Sequence, residues 1–110
     1  VIGSQLATRG SPHGADYAAS KAALSTWARS LALAVGPEGK RVNVLAPGYV
    51  DTDLLAGDSK EKREQRIEEV PLKRIGTSDE MASIVSFLLS DDAAYITGAV
   101  LHANGGLYLP

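Results

Sequence analysis

The chain has 110 residues, of which 45% are hydrophobic and 22% are charged, and its formal net charge is −2. This length suits a single domain of a folded globular protein, whereas the slight negative charge argues against a nucleic-acid-binding surface, and no apolar run approaches the length of a membrane span. Cysteine is absent, which excludes disulfides and thiolate metal sites, so the default expectation is a soluble, cytoplasmic protein without a nucleic-acid or membrane partner.

The first predicted elements are a strand end, a loop and a long helix. Residues 1–2 (VI) are typical of the end of a buried strand, and we expect further residues upstream of them. Residues 3–14 are rich in Gly, Ser, Thr and Pro and predict a loop. The composition then changes to helix-forming residues, which predicts a helix over 15–35. Its apolar face should carry four residues at helical spacing: Leu24, Trp27, Leu31 and Ala34.

The next segment contains a helix stop, a strand and a charged stretch. Gly36 should end the first helix as a left-handed C-cap, and Pro37 cannot continue it. Residues 41–46 (RVNVLA) predict a short strand that ends at the following Pro-Gly pair. Within the polar segment that comes next, residues 60–69 (KEKREQRIEE) predict a surface helix.

The last third of the chain predicts a second core helix and a final strand. Thr77 and Glu80 match a capping box, in which each side chain bonds the backbone amide of the other residue. Residues 99–102 predict a strand, and residues 104–106 (NGG) predict a turn. The core-facing stripe of the helix should consist of Met81, Ile84, Val85, Leu88 and Leu89.

The order of these elements predicts the fold class. Strand, helix, strand, helix, strand (βαβαβ) is the pattern of a parallel α/β sheet, and right-handed crossovers would place the three strands side by side. Parallel sheets need both faces covered, and two helices leave much of both faces bare. We therefore expect residues 1–110 to be the C-terminal half of a doubly wound, Rossmann-type parallel sheet, which is a single three-layer domain when complete.

One group of residues suggests acid–base chemistry. Tyr17 and Lys21 are four apart and lie on one face of the predicted helix. A free tyrosine titrates near pH ~10, and a neighbouring ammonium favours its phenolate form, which makes the proton easier to transfer. The Ser4 hydroxyl could bind the same substrate oxygen. The spacing alone is also common on exposed helices, and the alternative role for Ser4 is a loop-capping hydroxyl.

Further motifs follow this group in order along the chain. Ser4 stands thirteen residues before Tyr17, and the later motifs are RVNVLAPGYVDT (41–52), RIG (74–76), FLLS (87–90), YITG (95–98) and NGG (104–106). Together they resemble the short-chain dehydrogenases/reductases over the whole chain. The closest resemblance is to the 3-oxoacyl-[acyl-carrier-protein] reductases, whose tails are similar to residues 97–108.

The resemblance implies an NAD(P)(H)-dependent oxidoreductase that interconverts a ketone and a secondary alcohol, with a 3-oxoacyl thioester or a related ketone as substrate and NADPH favoured over NADH. Tyr17 would be the general acid in reduction and the base in oxidation, and it would also contact the cofactor. Lys21 would assist Tyr17 and hydrogen-bond the cofactor ribose, and Ser4 would hold the carbonyl oxygen. The nicotinamide would be lined by Pro47, Gly48, Val50 and Thr52.

The resemblance also bears on partners and completeness. It implies a homodimer or homotetramer, and it allows acyl carrier protein as a partner, although Glu38 stands where such reductases often carry a basic residue. Residues 53–73 correspond to the variable substrate-binding region, whose loops would close over the site. The family's Gly-rich dinucleotide-binding half belongs upstream of Ser4, so activity is expected only with that half. The alternative is a catalytically incompetent fragment that serves as an oligomerisation or binding unit.

No metal site is expected from the sequence. The two histidines, His13 and His102, are far apart in the chain and carry no ligand-like spacing with other residues. We interpret His13 as an exposed loop residue and His102 as a strand residue.

Overall fold

The computed structural model describes residues 1–110 as alternating helices and strands. The helices are α1 (Leu6–Arg9), α2 (Ala15–Val35), α3 (Asp53–Ala56), α4 (Lys60–Glu69) and α5 (Ser78–Leu89). The strands are β1 (Val44–Pro47), β2 (Val50–Asp51), β3 (Gly76–Thr77) and β4 (Val100–Ala103). Two short 3₁₀ turns, Gly36–Glu38 and Asp91–Ala93, follow α2 and α5. None of the helices has the length and hydropathy needed to cross a bilayer.

Strand β1 is the centre of the main sheet. It pairs in parallel with β4, in a register that sets Val44 opposite Val100, and Ile2 forms a parallel bridge to Leu45 on its other side. The predicted α/β fold with three parallel strands side by side is confirmed. In this chain Val1 and Ile2 lie at the outer edge of the sheet and are 41% and 52% exposed.

A second parallel pair, β2 with β3, was not predicted. Val50 pairs with Gly76 and Asp51 with Thr77. The segment between β2 and β3 therefore starts and ends at the same point of the fold. Strands of two residues are too short to show the alternation by which a strand is recognised in a sequence.

Capping side chains mark the starts of α4 and α5, whereas α2 begins after Gly14 without a side-chain cap. Helix α2 spans 15–35 and α4 spans 60–69, as predicted. The predicted capping box is present at the start of α5, where the Thr77 hydroxyl accepts from the Glu80 amide at 3.2 Å and a Glu80 carboxylate oxygen accepts from the Thr77 amide at 2.8 Å. Ser59 caps α4 in the same way, accepting from the Lys62 amide at 3.2 Å.

The buried face of α2 differs from the predicted one. Ser25, Ala28 and Ala32 are buried, whereas Trp27 is 54% exposed. Of the other predicted residues, Leu24 and Leu31 are only half-buried and Ala34 is exposed. The buried residues of this face are small, and they allow close packing: the Ala32 Cβ lies 3.7 Å from the position that a Cβ on Gly98 would take. The Ser25 hydroxyl donates to the Lys21 carbonyl at 3.0 Å, which satisfies a polar group on this inner face.

Two further predictions, for the end of α2 and for the core stripe of α5, differ from the structure. Gly36 is right-handed, with φ −55°, because the chain continues into a 3₁₀ turn, and the left-handed glycine is Gly39, with φ 72°. In α5, Leu89 is 78% exposed. The other four residues of the predicted stripe are half-buried: Met81, Ile84, Val85 and Leu88.

The sheet core is small and is joined to the C-terminal loop by two polar side chains. Arg41 donates to three carbonyl oxygens, those of Leu88 at 2.8 Å, Ser90 at 3.2 Å and Ile96 at 3.3 Å. Asn43 donates to the Ile96 carbonyl at 2.8 Å and accepts from the backbone amide of residue 99 at 3.1 Å. Strand β1 therefore begins at residue 44 rather than 41, and the strand interior is buried: Val44, Leu45 and Ala46.

Candidate active site

Ser4 lies at the carboxyl end of the central strand. The backbone on either side of it bonds to β1, with the Gly3 amide donating to the Leu45 carbonyl at 2.7 Å and the Gln5 amide to the Pro47 carbonyl at 3.2 Å. The Ser4 hydroxyl is almost buried and accepts from the Leu6 amide at 3.2 Å. It therefore caps the loop as an acceptor, and its own hydrogen remains available for a second bond.

Tyr17 and Lys21 lie together in the first half of α2. The Lys21 ammonium is 5.8 Å from the centroid of the Tyr17 ring, within the range of a cation–π contact. The same ammonium donates to the Ile2 carbonyl at 3.1 Å, two residues before Ser4. Lys21 thus links the tyrosine to the segment that carries the serine. The Tyr17 side chain is 47% exposed, so a ligand can reach it.

Pro47 and Gly48 form the other wall of this region. Gly48 donates its amide to the Ala103 carbonyl at 3.0 Å, so the end of β1 is joined to the end of β4. A Cβ atom on Gly48 would lie 2.7 Å from Asn104, which means that only glycine fits there. In open parallel sheets ligands bind outside the carboxyl ends of the strands, and Ser4 and Pro47 share that end.

Val50 and Thr52 lie one step further along the chain, on the β2–β3 pair rather than on the main sheet. Val50 is half-buried opposite Gly76. Thr52 precedes α3 and is exposed, and its hydroxyl makes only a long bond of 3.5 Å to the Val50 carbonyl. The Thr52 hydroxyl is therefore free to bind a ligand.

A cleft of about 630 Å³ contains none of the seven predicted site residues. It lies between α5, Tyr49 and the C-terminal tail. His102, interpreted as a simple strand residue, lines this cleft, and its Nδ1 is buried without a hydrogen-bond partner, with the ring 5.6 Å from that of Tyr108. The volume of this cleft does not identify the catalytic region, because the predicted chemistry lies at the carboxyl end of β1.

Gln5 is a polar residue of this region that carried no weight in the sequence. It is 3% exposed, next to Ser4, and its side-chain oxygen is buried without a hydrogen-bond partner. No motif could have identified it, because only the fold shows that its side chain is enclosed. No group of three or more His, Cys, Asp or Glu side chains is placed to hold a metal ion.

Comparisons with known proteins cover the whole chain. A family model described as enoyl-(acyl carrier protein) reductase matches residues 1–108. The 3-oxoacyl-[acyl-carrier-protein] reductases FabG of Salmonella typhimurium (strain LT2) and Escherichia coli (strain K12) are each 46% identical to this chain over 109 residues, which cover 99% of the chain and 45% of each relative.

A solved structure agrees with these relatives. The crystal structure of a short-chain dehydrogenase/reductase, described as a glucose/ribitol dehydrogenase, from Brucella melitensis is 34% identical, with a TM-score of 0.92. The match covers 99% of this chain and 44% of that one. The chain therefore spans less than half the length of the relatives that it matches.

Proposed function

Because this chain belongs to the short-chain dehydrogenase/reductase family, we propose that the complete protein interconverts a ketone and a secondary alcohol with a nicotinamide cofactor. The motifs had predicted this family, with its closest likeness among 3-oxoacyl-[acyl-carrier-protein] reductases, and the comparisons confirm that prediction. The activity itself is proposed for the complete protein.

The position of Lys21 is the observation that carries the proposal. Its ammonium lies at the Tyr17 ring and is bonded to the strand that leads into Ser4. In the proposed reaction Ser4 holds the carbonyl oxygen through its available hydrogen, and Tyr17 donates a proton to that oxygen. The positive charge of Lys21 stabilises the phenolate that remains after the transfer. In oxidation the same residues act in reverse, with Tyr17 as the base.

The side chains present suit the nicotinamide end of a dinucleotide. Lys21 uses one of its three N–H donors on Ile2, which leaves donors for ribose hydroxyls. The weakly bonded Thr52 hydroxyl can bind a carboxamide. When bound, the cofactor supplies or accepts the hydride. We propose that its nicotinamide is lined by Pro47, Gly48, Val50 and Thr52, and we favour NADPH over NADH by family resemblance.

A 3-oxoacyl thioester is the proposed substrate class, since the relatives in Salmonella and E. coli are named for 3-oxoacyl groups on acyl carrier protein. Docking of that acidic carrier at the turn after α2 is not favoured. The charge of Lys40 is offset by its pairing with Glu38, and Arg41 is half-buried with its guanidinium bonded to three backbone carbonyls, so this turn does not present an exposed basic patch.

We further propose that the protein is a homodimer or homotetramer. Trp27 and Leu33 are 54% and 81% exposed on the outer face of α2, and a second copy of that helix would cover them. The cytoplasmic location stays a prediction from composition.

The activity can be tested with the complete protein. NADPH and NADH oxidation would be measured with an acetoacetyl thioester and with a simple ketone, and we expect the thioester with NADPH to be turned over fastest. A Ser4→Ala variant should lose most of this rate. If neither nucleotide is oxidised with any ketone while the protein still dimerises, the oligomerisation-unit alternative replaces the enzyme.

A further inference from the structure

Helix α4 is joined to the rest of the chain by polar side chains. No residue of the helix is buried, and Ile67, its only apolar residue, is half-buried. Burial of apolar surface therefore contributes little to its position, and other contacts must fix it.

Two sets of contacts connect α4 to the segment Tyr49–Asp51. Arg63 makes two hydrogen bonds to the Asp51 carboxylate, at 3.0 and 2.9 Å. Near the other end of the helix, the Tyr49 hydroxyl donates to a Glu69 carboxylate oxygen at 2.9 Å, and the Arg66 guanidinium lies 4.6 Å from the centroid of the Tyr49 ring. The helix is thus attached to one short segment from both of its ends.

That segment is fixed to the body of the protein on its other side. The Gly76 amide donates to the Tyr49 carbonyl at 3.0 Å, and the Ser78 hydroxyl donates to the Asp51 carbonyl at 3.4 Å. Val50 lies between the two attachment residues, and Thr52 follows directly. The attachment points of α4 are therefore continuous with the proposed nicotinamide wall.

The charges of these groups suit their contacts. The hydrogen bond from Arg63, together with its positive charge, lowers the pKa of Asp51, which keeps that carboxylate ionised. Burial, with the nearby Glu69 carboxylate, raises the pKa of Tyr49, so the phenol keeps the proton that it donates. Both attachments are partly open to water, and pairs of this kind are weak and screened by salt.

We propose that Asp51–Arg63 and Tyr49–Glu69 form a polar latch that holds α4 beside the proposed nicotinamide wall and thereby keeps the segment Tyr49–Asp51 in place for binding of the ketone. The proposal rests on the proposed function for its kinetic consequence. All four are positioning residues, since they act through the placement of α4 rather than by touching the reacting atoms.

Hydrogen exchange of the backbone amides of residues 62–69 in the complete protein tests the latch without any assay of activity. In Arg63→Gln we expect these amides to exchange about two- to fivefold faster than in the wild type. Arg63→Lys keeps the charge but loses the bidentate hydrogen bond, and its exchange rate should be intermediate between those of the wild type and Arg63→Gln. Lys60→Gln is the matched control, because the partner of Lys60 is Glu64, at 3.9 Å within the same helix.

Salt gives a test on the unmodified protein. Raising the ionic strength should speed exchange in α4 of the wild type more than in Arg63→Gln, where only the pairs of Lys60, Lys62 and Arg66 remain to be screened. Equal exchange in the wild type and Arg63→Gln, or exchange in the wild type that ignores salt, would overturn the latch whether or not the protein is active.

Kinetics then separate positioning from folding. In Arg63→Gln we expect KM for the ketone to rise about two- to fivefold, while the rate of hydride transfer in a single turnover stays within about twofold of the wild type. Arg63→Lys should restore KM in part. Absence of turnover in the wild type would remove the proposed function and leave the exchange result to decide the latch.

Discussion

Gly48 and Asn104 approach each other so closely that a Cβ atom on Gly48 would lie 2.7 Å from both the Cα and the Cβ of Asn104. The contact is supported by the bond from the Gly48 amide to the Ala103 carbonyl and by the Asn104 side chain, which accepts from the Gly106 amide at 3.0 Å. The end of β1 and the turn after β4 therefore form one rigid corner beside the proposed nicotinamide wall.

Gly48→Ala should lower the stability of the complete protein by about 1–3 kcal/mol, because backbone atoms must move to admit the methyl group. Denaturant unfolding measures this change. Gly36→Ala is the control, since it has no atom within 4 Å of the added Cβ and a right-handed φ of −55°. It should be neutral or stabilising by about 0.4–1 kcal/mol. Equal effects at the two positions would contradict the close contact.

Tyr17→Phe should abolish carbonyl reduction in the complete protein, with a loss of at least about a hundredfold in kcat, because the proton donor is removed. Cofactor binding, followed by fluorescence titration, should stay near normal. Tyr95→Phe provides the control, since Tyr95 is fully exposed and belongs to none of the proposed contacts. Turnover retained in Tyr17→Phe would refute its role as the proton donor.

Arg41→Lys should destabilise the protein by about 1–3 kcal/mol, because an ammonium cannot reach three carbonyls that a guanidinium fork spans. Thermal or denaturant unfolding measures the loss. Arg29→Lys, at an exposed position of α2, should leave stability unchanged. If the two variants unfold alike, the Arg41 guanidinium does not stabilise the C-terminal loop.

Acid should weaken the start of α5 through Glu80. The hydrogen bond from Arg74, followed by the bond from the Thr77 amide, lowers the pKa of Glu80 from 4.5 to about 2. Because the unfolded chain takes up the proton first, the stabilising contribution is fully present above about pH 4.5 and is lost as the pH falls toward 2.

The stability difference between the wild type and Glu80→Gln should therefore be largest near neutral pH and shrink through this window. Glutamine keeps an acceptor for the Thr77 amide, so the variant isolates the charge. Parallel unfolding curves at several pH values provide the measurement, and a difference that does not vary with pH would contradict the assignment.

Sequence patterns were sufficient for the long helices because local chemistry sets their ends. The Thr77–Glu80 capping box and the change of composition at Ala15 fixed the starts of α5 and α2. They were insufficient for the orientation of α2, where Ala28 and Ala32, rather than Trp27, face the sheet. Tertiary packing made that choice, and periodicity in an alanine-rich helix does not report it.

In the proposed site, too, local sequence predicted some features and tertiary packing decided others. Motif spacing selected Ser4, Tyr17 and Lys21, and the fold links Lys21 to the other two segments. The contacts of α4 were beyond prediction, because Asp51 and Arg63 are twelve residues apart and are separated by the short helix α3 and the turn that follows it. Side-chain pairs of this kind depend on where a helix comes to rest, which no local pattern encodes.

The pairing of β2 with β3 has an evolutionary consequence. Val50 against Gly76 and Asp51 against Thr77 bring the two ends of the intervening segment side by side, whatever its length. The entropy of closing such an excursion grows only slowly as residues are added. Chimeras that exchange residues 53–73 between relatives should therefore keep the β2–β3 pairing, provided that the buried positions of Leu55 and Val70 stay apolar.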